Sequence, residues 1–291
     1  MLPPKVYSIA ELIAWSTREL ASFSESARLD SEVLLAHILS CTRLQLISES
    51  RAQVDPQIIA KFADLISRRA KHEPVAYLVG QREFWGLDFE VTPDVLIPRP
   101  ETELIVEQAL EWLADHRAAR ILDLGTGSGC IAIALAHEAR SRGKQVQVVA
   151  IDTSAAALAV AERNAARHGV PDLIEFRLGN WFGECDSAQE QFDLIATNPP
   201  YIAPDDLIRD PGTDYEPAGA LFSGVAGGDG LDAVREIVQQ LPGFLAHPGI
   251  FLCEIGAQQG SAARQLVPHG FKGEILRDLA GRERVLRVFA K

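Results

Sequence analysis

The chain has 291 residues, 47% of them hydrophobic and 23% charged, with a formal net charge of −12. That much apolar surface excludes disorder as the dominant state, and the length suffices for one large domain or two smaller ones. The acidic balance argues against non-specific binding to a phosphate backbone, which needs a basic face. The first 80 residues balance nine basic against nine acidic side chains, so the whole negative excess falls on residues 81–291, a shift that hints at two domains.

Residues 8–79 read as helical. Ser8 caps a first helix whose apolar positions Ile9, Leu12, Ile13 and Leu20 recur at helical spacing. Asp30 and Ser31 open a second, with Val33, Leu34, Ile38 and Leu39 on a broad apolar face. Pro56 starts a third, followed by Ile58, Ile59, Phe62, Leu65 and Ile66. A small all-α bundle over residues 1–80 is expected. At Gln81 the pattern changes. Residues 84–91 group aromatic and β-branched side chains around a Gly86-Leu87-Asp88 turn, which predicts a β-hairpin. Pro93, Pro98 and Pro100 then prevent regular structure, so residues 81–100 read as a hairpin linker.

Over residues 101–291 helix and strand alternate. Helices are predicted over 104–116, 130–142, 154–168, 232–245 and 258–267. Strands are predicted over 120–124, 146–151, 173–178, 192–197 and 250–255, with a final antiparallel pair near 274–277 and 285–289. The alternation implies an α/β fold with a mostly parallel sheet covered on both faces. Residues 203–230 form a long segment rich in Gly, Pro and Asp, and such loops are often functional.

The cysteines, Cys41, Cys130, Cys185 and Cys253, have no metal-ligand spacing and no Cys-x-x-Cys pair. Neither a zinc site nor a disulfide framework is expected, and free thiols suit a reducing cytoplasm. Residues 1–8 hold no signal-like apolar run, and no stretch reaches the roughly 18 apolar residues of a membrane span. A cytoplasmic monomer without a membrane partner is expected.

The strongest local signal is Asp123-Leu124-Gly125-Thr126-Gly127-Ser128-Gly129, between a strand and a helix. Glycines let the backbone turn tightly and approach a ligand closely. A dinucleotide fingerprint would need glycine at position 130, where Cys130 stands, and a phosphate loop would need Gly-Lys-Ser/Thr, which is absent. The remaining pattern, Asp-x-Gly-x-Gly-x-Gly, resembles that of S-adenosylmethionine-dependent methyltransferases. The next strand ends in Asp152, whose carboxylate can accept hydrogen bonds from both hydroxyls of a ribose.

The strand over 192–197 runs into Asn198-Pro199-Pro200-Tyr201. Two prolines fix the backbone there. The Asn198 side-chain oxygen and the Pro199 carbonyl can accept hydrogen bonds from one planar amino group, on which Tyr201 can pack. The motif is similar to that of methyltransferases acting on a conjugated nitrogen: adenine N6, cytosine N4 or a glutamine amide. Such a lone pair is delocalised, and two acceptors can localise it and aim it at a sulfonium methyl, so that alignment does most of the catalysis.

Around these motifs the chain resembles the bacterial protein-(glutamine-N5) methyltransferases of peptide chain release factors, the HemK/PrmC family. The resemblance rests on Glu73-Pro74-Val75-Ala76-Tyr77-Leu78-Val79-Gly80, Glu83-Phe84-Trp85-Gly86, and Ile97-Pro98-Arg99-Pro100-Glu101-Thr102-Glu103. It continues through the glycine loop, Asn198-Pro199-Pro200-Tyr201, Glu216-Pro217 with Ala220-Leu221, and Asp278-Leu279-Ala280-Gly281-Arg282-Glu283-Arg284. It implies a five-helix substrate-recognition domain over residues 1–80, a hairpin linker over 81–100 and a seven-stranded Rossmann-like methyltransferase domain over 101–291. The methyl donor would be S-adenosyl-L-methionine, leaving S-adenosyl-L-homocysteine. The acceptor would be the glutamine of a Gly-Gly-Gln loop. By resemblance Gly125, Thr126, Gly127, Ser128, Gly129 and Asp152 hold the cofactor, with Asn180 and Trp181 at its adenine and Asn198 between cofactor and substrate. Pro199, Pro200 and Tyr201 complete the glutamine pocket. Asn180 departs from the Asp that relatives often carry there. No metal is implied. Three alternatives stand beside this reading: a ribosomal-protein glutamine methyltransferase sharing the whole site, a DNA adenine N6-methyltransferase, and a catalytically silent adaptor. The acidic catalytic part opposes the DNA enzyme and direct nucleic-acid contact, and the intact glycine motif opposes the adaptor.

Overall fold

The computed structural model describes residues 7–206 and 210–290, which cluster into two compact units. One takes the chain up to Gln81 together with Asp210–Tyr215; the other takes the rest from Arg82 onward.

In the smaller unit, β1 (Tyr7–Ser8) pairs antiparallel with β2 (Gln53–Val54) beside five helices: α1 (Ile9–Leu20), α2 (Ala27–Leu39), α3 (Arg43–Ser48), α4 (Pro56–Arg69) and α5 (Val75–Val79). Ser8 closes a capping box with Glu11 at the start of α1, Thr42 does the same with Gln45 for α3, and Asp55 accepts from the Gln57 amide ahead of Pro56. The second helix begins at Ala27 rather than at Asp30. The Asp30 carboxylate instead accepts from the Ser24 and Ser26 hydroxyls at 2.7 and 2.8 Å, and from Arg69 at 2.8 Å. Leu12, Leu20, Leu34, Leu35 and Phe62 form the core.

Apart from Gln81, the hairpin β3 (Gln81–Phe84) and β4 (Leu87–Glu90) belongs to the larger unit. Its turn is Trp85-Gly86, with φ of 54° and 71°, one step earlier than the sequence pattern suggests. Two successive positive φ values suit the right-handed twist of a two-residue hairpin, and Leu87 and Asp88 are left free to continue the strand. The hairpin is no free linker. Phe84 and Phe89 are buried in the same core as α6 (Glu103–Ala114) and α7 (Cys130–Ser141).

The main sheet contains β5 (Ala118–Leu124), β6 (Gln145–Asp152), β7 (Ile174–Leu178), β8 (Phe192–Thr197), β9 (Leu245–Glu254), β10 (Phe271–Arg277) and β11 (Glu283–Ala290). Their order is β10-β11-β9-β8-β5-β6-β7. Pairs from β9 to β7 are parallel, and β11 lies antiparallel to both β9 and β10. The central strands are apolar on both faces because each face is covered. Ile121, Val148 and Leu194 meet α6 and α7, whereas Leu122, Val149 and Ile195 meet the helix at Asp232–Phe244 on the other side. The fifth predicted strand starts at Leu245, five residues early, because Leu245 pairs with Phe192 across a register shift. The chain leaves β5 toward β6 on one side, while β8 joins it on the other. This reversal is the switch point where open α/β sheets bind ligands, beyond the carboxyl ends of the strands.

Candidate active site

The carboxyl end of β5 runs into the glycine loop, which the backbone itself shapes. The Gly125 and Thr126 amides both donate to the Ile151 carbonyl at 2.9 and 3.0 Å, and Gly129 donates to Thr126 at 2.8 Å. Gly125, Gly127 and Gly129 have φ of 69°, 56° and 83°, a region that disfavours side chains. At Gly129 a Cβ would also lie 2.7 Å from Ile133 and 3.1 Å from Ala161, so its smallness lets α7 pack on the helix Ala155–Arg167. Asp152, ending β6, accepts from the Gly127 amide and the Ser154 amide, both at 2.9 Å. Ser154 itself caps the following helix, so Asp152 braces the loop rather than capping. From the same helix, the fully buried Asn164 donates to Ser128 O at 2.9 Å and Glu90 O at 3.0 Å and accepts from the Glu90 amide at 2.7 Å.

Beneath the loop lies Asp123, wholly buried. Its Oδ2 accepts from the Thr126 hydroxyl at 2.6 Å and the Ala132 amide at 3.2 Å, while Oδ1 has no partner. Burial pushes this carboxyl from 3.8 up to about 7, against the pull of those two donors.

Above the loop a cavity of about 280 Å³ opens, near the lower bound of small-molecule sites. Of the residues singled out from sequence, Gly125, Gly127, Asp152, Asn180, Trp181, Asn198 and Pro200 line it. Trp181 adopts a left-handed φ of 48° and lays its ring over Gly125, where a Cβ would sit 3.4 Å from it. Thr126 and Ser128 are instead buried under the loop. Gly129, Pro199 and Tyr201 are not part of the lining either. Asp94, Val95, Leu96 and Gly219 also line it with no hint from periodicity, and so do Pro217 and Ala220 of the outlying motif. Glu216 ties these two segments together: it is buried, accepts from the Ile97 amide at 3.0 Å and pairs with Arg99. The two outlying motifs that contain Arg99 and Glu216 are thus one clasp.

Behind Asn198 four polar side chains form a chain of hydrogen bonds. The Asn198 amide donates to Thr102 Oγ1 at 3.0 Å, the Thr102 hydroxyl donates to Glu254 Oε2 at 2.6 Å, and the Tyr201 hydroxyl donates to Glu254 Oε1 at 3.1 Å. Glu254 ends β9 and is wholly buried. Burial raises its carboxyl from 4.5 to about 6, opposed by the Thr102 and Tyr201 hydroxyls and by Arg284. Burial also pushes the Tyr201 phenol up. The Tyr201 carbonyl is held by Gln259 Nε2 at 2.9 Å. Among the described residues no group of His, Cys, Asp or Glu could hold a metal, and no helix is long and apolar enough to cross a membrane.

A glycine loop, an acidic strand end and Asn-Pro-Pro-Tyr around one cavity at the switch point define a methyltransferase of the Rossmann-like class. A methyltransferase-domain family model matches residues 115–259. The catalytic domain of hMettl16, solved in complex with a MAT2A 3'UTR hairpin, shares the fold with a TM-score of 0.54 at 19% identity, over 78% of this chain and 82% of that one. The PrmC N-terminal domain model matches residues 11–80. A release factor glutamine methyltransferase of Bordetella pertussis is 44% identical over 261 residues, 89% of this chain and 93% of the relative. One from Pseudomonas aeruginosa is 45% identical over 265 residues, 90% and 92% respectively. The chain belongs to the release factor glutamine methyltransferase family.

Proposed function

We propose that this enzyme transfers the methyl group of S-adenosyl-L-methionine to the side-chain amide nitrogen, N5, of the glutamine in the Gly-Gly-Gln motif of peptide chain release factors. The observation that carries the proposal is that Asn198 lines the same cavity as Gly125, Gly127, Asp152 and Trp181. The cavity fits the cofactor in chemistry: a carboxylate for the ribose, an aromatic ring for the adenine and open glycine backbone between them. When bound, the cofactor supplies an electrophilic methyl on a sulfonium. Gly125, Thr126, Gly127, Ser128 and Gly129 form the turn that receives it, Asp152 accepts from its ribose, and Asn180 and Trp181 flank its adenine. Asn198 Oδ1 and the Pro199 carbonyl accept the two N–H bonds of the substrate amide. That draws density onto the nitrogen and turns its lone pair toward the methyl. Pro200 and Tyr201 wall the glutamine pocket. Bound there, the sulfonium would supply the methyl and keep the electron pair of the broken bond, while the amide held by Asn198 and Pro199 would give up one proton to water. Residues 1–80 recognise the release factor, 81–100 join them to the catalytic part, and 101–291 catalyse, as a monomer in the cytoplasm with no nucleic acid bound directly.

The test is transfer of labelled methyl to a purified release factor, a ribosomal protein and plasmid DNA, with the modified peptide read by mass spectrometry. Label on the Gly-Gly-Gln glutamine is expected. Preferential labelling of the ribosomal protein would move the enzyme to that substrate, and comparable labelling of DNA would overturn the reading.

A further inference from the structure

Glu254 and Thr102 lie outside the cavity lining, yet they contact the two polar ends of Asn-Pro-Pro-Tyr. We propose that Glu254 and Thr102 are positioning residues, which fix the orientation of the Asn198 amide and the place of the Tyr201 hydroxyl for methyl transfer. The proposal rests on the function proposed above.

An ionised carboxylate only accepts, so both hydroxyls that reach Glu254 must donate to it. The Thr102 proton is thereby committed, and its oxygen can only accept from Asn198. The Asn198 group facing Thr102 must then be the NH2, which leaves Oδ1 as the acceptor available to a substrate amide. An asparagine by itself has two orientations of nearly equal shape, and only one offers an acceptor. The carboxylate, three bonds away from the substrate, selects it. Complete burial of Glu254 and Thr102 excludes the water that would otherwise let these groups exchange partners. Both residues are set rigidly, Glu254 by strand pairing with Val285 and Thr102 by the helical turn Pro100–Thr102.

Three substitutions test this. Thr102→Val keeps the shape and removes the hydroxyl, and Thr102→Ser keeps the hydroxyl and loses the methyl. Glu254→Gln keeps the volume but offers one acceptor instead of two. We expect T102V and E254Q to lower kcat about tenfold, with acceptor KM and cofactor affinity changed less than about threefold, while T102S stays within about threefold of the wild type. A purely packing role would make Val the milder change at position 102, so the order of Ser and Val decides between the two roles. Wild-type kcat in T102V, or T102S worse than T102V, would overturn the proposal.

The second readout needs no acceptor. The side-chain amide signal of Asn198, assigned by its absence in Asn198→Ala, is followed by nuclear magnetic resonance in 15N-labelled protein. Its hydrogen-bonded proton should exchange about tenfold faster in T102V and unchanged in T102S. An unchanged signal in T102V overturns the relay even if the acceptor proves to be something other than a release factor. Failure of the wild type to label a release factor overturns the function and leaves this measurement standing.

Discussion

At the glycine-loop end of the cavity, the bonds that set the geometry are local. Asp123 to Thr126 spans three residues and Asp152 to Gly127 spans 25. At the Asn198 end, Thr102 reaches Asn198 across 96 residues and Glu254 across 152. The first end is shaped mostly by backbone amides, which any sequence with glycine in the right places can present. The second orients one side-chain amide, which requires specific atoms from three separate segments. The loop end should therefore govern binding, while the Asn198 end should govern turnover.

The largest expected effect breaks the turnover end outright. Asn198→Ala should reduce kcat by about three orders of magnitude with cofactor affinity within about threefold, measured by methyl transfer and by calorimetric titration. Near-normal turnover would remove Asn198 from the mechanism. Asp152→Ala tests the opposite end, where the loss should fall on affinity. Without the carboxylate that holds Gly127 and Ser154, cofactor Kd should rise on the order of tenfold to a hundredfold, and saturating cofactor should recover most of kcat. A pure kcat defect there would erase the contrast between the two ends.

A smaller effect concerns Asp123. Its folded-state carboxyl is raised to about 7, so between roughly pH 4 and 7 the folded protein binds a proton that the unfolded chain has released. Folding stability from this group is therefore lost as pH rises through that window. The thermal midpoint of the wild type should fall relative to Asp123→Asn from pH 4 to pH 7 and run parallel above it. Parallel curves throughout would mean that Asp123 is ionised despite its burial. The smallest effect is ionic. The net −12 resides beyond residue 80, so a basic acceptor should be steered toward it, and KM should rise about twofold to threefold from low to physiological salt. Indifference to salt would reduce the charge to a solubility feature.

Most of this architecture could be read from the chain. Alternating apolar runs predicted the seven-stranded order of elements within a few residues, and strand β8 was bounded correctly because turn residues flank it on both sides. The positive-φ loop was legible in Gly125, Gly127 and Gly129, since few other residues tolerate those angles. The hairpin turn was misplaced by one residue because Trp85 bears a positive φ that propensity assigns to glycine or asparagine. The roles of Thr102, quoted only as part of a motif, and of Glu254 were not legible for a different reason. Each is a common polar residue at the end of an ordinary element, and its meaning arises only when the sheet order brings β9 beside β8. Glu254 did carry one faint signal, a carboxylate closing an otherwise apolar strand, Ile250-Phe251-Leu252-Cys253.

The buried amide of Asn164 is a single chemical point on which the hairpin and the glycine loop both depend. Its two donors and one acceptor are all in use, on Glu90 of the hairpin and Ser128 of the glycine loop. Conversion to aspartate, which hydrolysis of the amide would produce, would leave a carboxylate facing two carbonyl oxygens, with no donor for either. Hairpin and loop would repel the very residue that registers them. A protein whose function we read as modifying one amide thus depends on keeping another amide of its own intact.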